Sequence, residues 1–388
     1  MATSSLRSQY LLDPDFVYLN HGSYGGTPIP VFETYQKWQR ELERQPVDFF
    51  RRANGLLAEA RARLGEYLGS PAENLIYIMN STVAINMVAR SIDFKPGDEI
   101  LATDQEYPAM NQTWSYICHK TGARYITRPV SMPFTTKEAF VEEFWTGVNS
   151  HTRIIFLSHI PFSLGIIWPV EEICRRARLA GIPIIIDGAH APGQIPLNMT
   201  EIGADVYFGA LHKWLSAPKG ASFMYASKTA QSWLDPLIIS HGWGEQPIPT
   251  GTTRFLEFNE YQGTRDFSAF LSVPAAIDFQ RQNDWDTRRA ECHALASDTR
   301  RRIVEMTGLP PVCPDSPEWF MQLALSPMPK IDLTALAQRL FNQYKIEVPM
   351  VQWNSNPGAM RISFQAYNTQ ADADALIDAL KTEFKNHA

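Results

Sequence analysis

Four places in the chain carry residue types that could do chemistry together. The first is Asp187-Gly188-Ala189-His190, which closes the apolar run Pro183–Asp187. A carboxylate ending a buried apolar strand is costly unless a cation or hydrogen-bond donors meet it. A structural ion pair would satisfy it, and so would a cationic ligand. The second is His212-Lys213-Trp214, after the run Asp205–Phe208. An amine held against apolar surface loses proton affinity and becomes a nucleophile, whereas an exposed loop lysine would do nothing of the kind. The third is Asn80-Ser81-Thr82, ahead of the helical run Val83–Ile92. Hydroxyls at a helix start can hold an anion or simply cap the helix. The fourth is Tyr107, following the run Glu99–Thr103. Its ring could stack on a planar ligand, or belong to the core or its rim.

These groups act together only if the chain brings them to one edge. Seven short runs, Leu75–Met79, Glu99–Thr103, Ala123–Thr127, Arg153–Ser158, Pro183–Asp187, Asp205–Phe208 and Ala221–Ala226, are rich in Ile, Val, Phe and Tyr, as buried strands are. Amphipathic stretches separate them, and Val170–Ala180 starts after Pro169 and stops at Gly181. Such alternation predicts an α/β fold with a seven-stranded, mostly parallel sheet covered on both faces. Upstream, Val31–Arg52 and Leu57–Leu68 read as two helices, the second closed by Gly69. Downstream, Leu333, Leu336, Leu340 and Tyr344 recur at helical spacing. Strands at Ile346–Val351 and Arg361–Gln365 follow, with a last helix from about Thr369. The expected division is an N-terminal segment, 1–20, near the functional site, a large domain, 21–255, and a small α+β C-terminal domain, 256–388. The junction falls where Pro, Gly and Thr cluster in Pro249–Gly263.

Ligands of an open α/β sheet bind beyond the carboxyl ends of its strands, so the four groups should converge. No GxGxxG follows the first strand and no GxxxxGK[ST] occurs anywhere, which leaves dinucleotide and P-loop binding unsupported. A phosphate cradle, a stacking ring, a buried carboxylate and an amine on one edge are what pyridoxal 5'-phosphate requires. The carboxylate would keep the pyridine nitrogen protonated and the lysine would form the Schiff base.

Composition narrows the setting. With 45% apolar and 20% charged residues among 388, the chain can bury a sizeable core and is not disordered. Its net charge of -6 gives it no electrostatic reason to seek nucleic acid or anionic lipid. Cys118, Cys174, Cys292 and Cys313 are scattered without a CxxC pair, which argues for a reducing compartment and against a disulfide scaffold or a metal site. The first residues have no signal-peptide pattern and no apolar run reaches membrane-spanning length, so a cytoplasmic protein is expected.

At these residues the sequence resembles the class V aminotransferase family of fold-type I pyridoxal-phosphate enzymes, in its isopenicillin N epimerase-like branch with cysteine C–S lyase relatives. The motifs are Asn20-His21-Gly22-Ser23-Tyr24-Gly25, Asp187-Gly188-Ala189-His190-Ala191-Pro192-Gly193, His212-Lys213-Trp214, Gln262-Gly263-Thr264-Arg265-Asp266, and Arg361-Ile362-Ser363 with Tyr367-Asn368. The resemblance implies that Lys213 carries the cofactor as a Schiff base, Asp187 faces the pyridine nitrogen, Tyr107 stacks on the ring and His190 sits beside it. It also implies that Ser81, Thr82 and His212 hold the phosphate, helped by Thr264 from the second subunit of a homodimer. Arg361 would clamp the substrate α-carboxylate, and Asn20 and His21 would line the substrate side.

Two departures stand out. Pro161-Phe162-Ser163-Leu164 replaces a Thr-Ser-Pro-Thr-like stretch, and Ala210 stands where relatives often carry Asn. The first puts Phe162 and Leu164 in a segment expected to border the cofactor. Cysteine desulfurases carry a reactive Cys shortly before their carboxylate-binding Arg, but Lys345–Met360 contains none, so persulfide formation is not expected. The expected activity is Cα–H abstraction by Lys213 from an α-amino acid, followed by β-elimination from a cysteine-derived or other β-substituted substrate. Epimerisation is the nearest alternative, then transamination or decarboxylation-coupled chemistry, then a non-catalytic cofactor-binding protein.

Overall fold

The computed structural model describes residues 5–245, 247–249, 251–351 and 358–387. After a short β1 (Val17–Tyr18) come β2 (Leu75–Ile78), β3 (Glu99–Thr103), β4 (Arg124–Arg128), β5 (Thr152–Ser158), β6 (Ile184–Asp187), β7 (Val206–Ala210) and β8 (Ser222–Ala226). β2 to β8 form one sheet in the order β2-β8-β7-β6-β5-β3-β4. Only β8 runs against its neighbours; the other ladders are parallel. The expected α/β architecture is therefore present. Side chains alternate between two cores: Leu75, Tyr77, Ile184 and Ile186 on one face, Ile76, Ile78, Ile185 and Phe208 on the other. That period of two explains why the central strands read as unbroken apolar runs.

The helices upstream of the sheet differ from expectation. A single turn α1 (His21–Tyr24) precedes α2 (Ile29–Arg44) and α3 (Pro46–Leu68). The break lies at Gln45, not beyond Arg52, and Gly55 sits inside α3. Pro46 is the cause: it pushes Gln45 out of helical geometry, to φ -152° and ψ 76°, and its missing N–H costs nothing at a first helical position. Gly69 closes α3 in a left-handed conformation at φ 60°, as its position suggested.

The C-terminal strands are β9 (Leu323–Pro327), β10 (Ile346–Glu347), β11 (Met350–Val351) and β12 (Ala359–Ser363). The run expected as one strand, Ile346–Val351, is two, divided at Pro349, which cannot donate to a ladder. β10 pairs with β1, while β11 joins β12 and β9 in a separate antiparallel sheet. The segment before α1 is thus stitched to C-terminal strands. Ser363 N–H donates to Leu19 O at 2.9 Å, next to Arg361 on β12.

Candidate active site

α4 (Ser81–Ser91) follows β2 and α5 (Pro108–Thr121) follows β3. The starts of these helices and the carboxyl ends of β5, β6 and β7 open on one cleft of about 670 Å³, its mouth included. Ser81, Thr82, Tyr107, Phe162, Asp187, His190, His212 and Lys213 all line it, together with Ser23, Tyr24 and Ser158.

Asp187 is the last residue of β6 and is 4% exposed. Its Oδ1 accepts the Ala189 N–H at 2.8 Å. Burial pushes its pKa up to about 6, against the pull of that N–H and of Lys213. The turn after it admits only glycine, since a Cβ on Gly188 would lie 2.1 Å from the Tyr207 hydroxyl. Lys213, in the turn after β7, is half-buried, and its Nζ lies 2.9 Å from His190 Nε2. Burial brings this lysine's pKa down to about 8, Arg361 acting with burial and Asp187 against it. Burial also holds His190 well below the usual imidazole range, with Lys213, Arg361 and His212 adding to the effect. His212 is brought down to about 4, chiefly by burial.

At the start of α4, Asn80 Oδ1 accepts the Val83 N–H at 3.0 Å, so the cap falls to Asn80. The Ser81 hydroxyl is buried and has no partner among the described residues. Tyr107 stands just before α5, 43% exposed, with its ring edge-on to Phe162 at 5.2 Å.

Other residues singled out in the sequence lie elsewhere. His21 is wholly buried beneath the lysine turn, with Nε2 2.9 Å from Lys213 O and Nδ1 3.1 Å from the Tyr367 hydroxyl. It supports the lysine backbone instead of lining the cleft. Asn20 donates to Glu347 at 2.9 Å and accepts from Ser23 at 2.5 Å, and it is Ser23 that reaches the cleft. Arg361 lies behind that wall, donating to Phe162 O and to Ser23 Oγ, each at 2.7 Å. It is 5% exposed, its Nε has no partner among the described residues, and burial brings its pKa down to about 10. Leu164 is buried in the main core, so of that divergent segment Phe162 alone faces the cleft. Thr264 lies in a different cleft, with Arg61, His241 and Glu260. The stretch without cysteine before Arg361 includes 352–357, which lie outside the described residues.

Glu106 was overlooked in the sequence. Its buried carboxylate meets the Thr103 hydroxyl at 2.7 Å and the Ser158 hydroxyl at 2.5 Å, and burial drives its pKa up to about 8. A carboxylate three residues beyond the end of β3 was the available signal. Ser23 and Tyr24 could have been found by the glycine that follows them: a Cβ on Gly25 (φ +69°) would lie 2.0 Å from His212 O. Only glycine lets that loop pass against the lysine turn.

Residues 30–376 match the class V aminotransferase family. The chain belongs to that family. It is 35% identical to isopenicillin N epimerase of Amycolatopsis lactamdurans, over 98% of both chains. It is 24% identical to a probable chloroplastic L-cysteine desulfhydrase of Arabidopsis thaliana, over 98% of this chain and 86% of the other. A mutant of C-DES with glycine covalently linked to its PLP cofactor superposes with a TM-score of 0.85 at 20% identity, covering 97% of this chain and 99% of that one. That likeness is one of fold. As a class V member the protein is a pyridoxal-phosphate-dependent enzyme of fold-type I. The cleft fits this cofactor. Asp187 is a buried carboxylate that accepts a backbone N–H, the Ser81 hydroxyl has no partner among the described residues, and the Lys213 amine lines the same cleft.

Proposed function

We propose that this class V enzyme takes the Cα proton of an α-amino acid and expels its β-substituent, as a C–S lyase does with a cysteine-derived substrate. The observation that carries the reading is Arg361. It is a guanidinium almost wholly buried beside the cleft, donating to Phe162 O, Ser23 Oγ and, at 3.5 Å, Asn20 Oδ1, and among the described residues its Nε–H meets no acceptor. Burying such a charge is costly without an anion, and a substrate carboxylate is the anion that suits its fork.

Bound, pyridoxal phosphate supplies an electron sink for the pair left when the Cα–H bond breaks. The residues divide the remaining work. Ser81, Thr82 and His212 would hold the phosphate, and Asp187 would hold the proton on the ring nitrogen. Tyr107 would stack on the ring, and His190 would sit beside it. Lys213 Nζ takes the proton from Cα and can deliver it to the departing sulfur, one base serving both transfers. Phe162 and Tyr107 wall the mouth and keep water off the reacting carbons. The large domain, 21–255, carries the cofactor groups, and the small one, 256–388, brings Arg361.

A second reading, epimerisation, is supported by the 35% identity with an isopenicillin N epimerase over the length of both chains. It requires a proton returned to the opposite face of Cα, and the phenols of Tyr24 and Tyr107 line the cleft with Lys213. An amino-acid panel assayed together for keto acid, ammonia, thiol and loss of optical activity separates the two. Pyruvate, ammonia and thiol from an S-substituted cysteine support elimination. Racemisation without pyruvate replaces it by epimerisation, and an amino group passed to a keto acid defeats both.

A further inference from the structure

We infer that Trp214 is a positioning residue: its indole N–H fixes which nitrogen of His190 carries the proton, and so holds the neighbouring Lys213 amine in its uncharged, nucleophilic form. The inference rests on the reading of Lys213 as the amine that captures the cofactor.

An indole nitrogen can only donate. Trp214 Nε1 donates to His190 Nδ1 at 3.3 Å, so Nδ1 must offer a lone pair. Burial, with the Arg361 guanidinium acting alongside it, keeps this imidazole from taking a second proton. Its single proton therefore sits on Nε2, 2.9 Å from Lys213 Nζ. A donor aimed at the amine needs a lone pair there. A neutral amine has one and an ammonium has none. Protonating Lys213 would force Nε2 to accept, send the ring proton to Nδ1, and set it against the indole N–H.

The indole cannot swing away. Trp214 is fully buried, its carbonyl accepts from Gln280 Nε2 at 2.9 Å, and its ring packs on His21 at 5.2 Å. His190 is pinned as well, its carbonyl accepting from Gln194 Nε2 at 2.7 Å. The titratable and charged groups around the pair are Asp187 from β6, His212 from the lysine turn and Arg361 from β12. Asp187 favours the ammonium, while burial and Arg361 oppose it. The tautomer acts on the same side as burial and needs no charge to do so. It also explains why a tryptophan directly after the lysine reaches back through a histidine instead of bonding a nearby carbonyl.

The test uses the full-length protein freed of cofactor and labelled with ¹⁵N in histidine. At pH 9, above the value of about 8 to which burial brings Lys213, His190 in the wild type should show a protonated Nε2 and a bare Nδ1. Trp214→Phe keeps an aromatic ring and removes the donor. It should populate both tautomers at pH 9 and, at neutral pH, slow capture of pyridoxal phosphate at Lys213, read as borohydride-fixed adduct after timed mixing, by about tenfold, the effect of one pKa unit on the amine. A purely packing role would lower Tm and leave the tautomer unchanged. An Nδ1-protonated or doubly protonated His190 in the wild type overturns the inference without any variant. So does a Trp214→Phe protein that forms the adduct at the wild-type rate. Persistence of the adduct in Lys213→Ala strikes the assignment of Lys213 itself, so the two failures are told apart.

Discussion

Asp187 and Glu106 are two buried carboxyl groups with opposite prospects. Asp187 opens on the cleft, where a protonated ring nitrogen would give it the cation it lacks. Asp187→Asn should still bind cofactor but lose on the order of 10²-fold or more in turnover, because a neutral amide cannot hold that proton. Near-normal turnover would reduce Asp187 to a structural residue. Arg361→Lys should raise KM for α-amino acids strongly and leave the resting cofactor spectrum unchanged, since an ammonium cannot reproduce the bidentate fork. An unaltered KM would place the carboxylate site elsewhere. Glu106 meets the Thr103 and Ser158 hydroxyls and the Ser158 backbone, and burial, with the Asp187 charge adding to it, holds its folded pKa at about 8, above the ordinary carboxyl value. Between those two pH values the folded state binds a proton that the unfolded state has released. Its contribution is therefore complete at low pH and is lost as pH rises towards 8. By this linkage the loss is on the order of 4 kcal/mol. Denaturation of cofactor-free protein from pH 5 to 8 should show wild type weakening more steeply than Glu106→Gln; equal slopes would mean that Glu106 ionises normally. Asp187 and Lys213 were legible because a charge ending an apolar run is conspicuous. His21 was legible as a motif but not as a backbone support, since nothing in a sequence says that an imidazole will bond the Lys213 carbonyl.

At the level of elements, Pro161-Phe162-Ser163-Leu164 shows what local pattern can and cannot give. The segment was expected to present Phe162 and Leu164 to the cofactor. It leaves β5 into a turn, the Leu164 side chain enters the core, and the Ser163 hydroxyl donates to Gln105 at 3.2 Å. Which side chains of an irregular turn face a cavity depends on φ and ψ angles that no periodicity encodes. Strands and capped helices are different, because their side-chain directions repeat. Even there Pro46 and Pro349 moved boundaries, for backbone reasons that could have been read from the proline itself. Phe162 is thus the one member of the segment placed to sort substrates, and its carbonyl, not its ring, bonds Arg361. Phe162→Thr should keep that carbonyl and shift preference from bulky S-substituted cysteines towards smaller, more polar side chains. The change should be worth about 1–3 kcal/mol in relative kcat/KM, a preference and not a switch. Leu164→Thr should lower Tm and leave the ranking of substrates alone. If Leu164→Thr reorders the panel and Phe162→Thr does not, the segment has been assigned the wrong way round.

For the whole molecule, the open question is how Thr264 could serve a cofactor bound near Lys213. Within one chain it is exposed, in a separate cleft with Arg61, His241 and Glu260. Ile238, Ile239 and Trp243, on the stretch leading to that cleft, are 45%, 62% and 46% exposed, an expensive arrangement for a surface that meets only water. Both features are met at once if two copies associate and each lends Thr264 to the other's phosphate site. We propose that homodimer on these grounds, together with the motif containing Thr264. A cofactor held by two chains links its binding to association by mass action, so anything that separates the copies must weaken cofactor affinity. Dilution should then release cofactor in step with monomer, and excess pyridoxal phosphate should shift sedimentation towards the dimer. Thr264→Ala should weaken cofactor retention while leaving the Lys213 adduct, once reduced, at full stoichiometry. Trp243→Glu, which puts a charge into the apolar patch, should produce monomers that lose cofactor on gel filtration. A monomer that keeps full cofactor occupancy through dilution would show that one chain completes its own site, and Thr264 would then have no part in it.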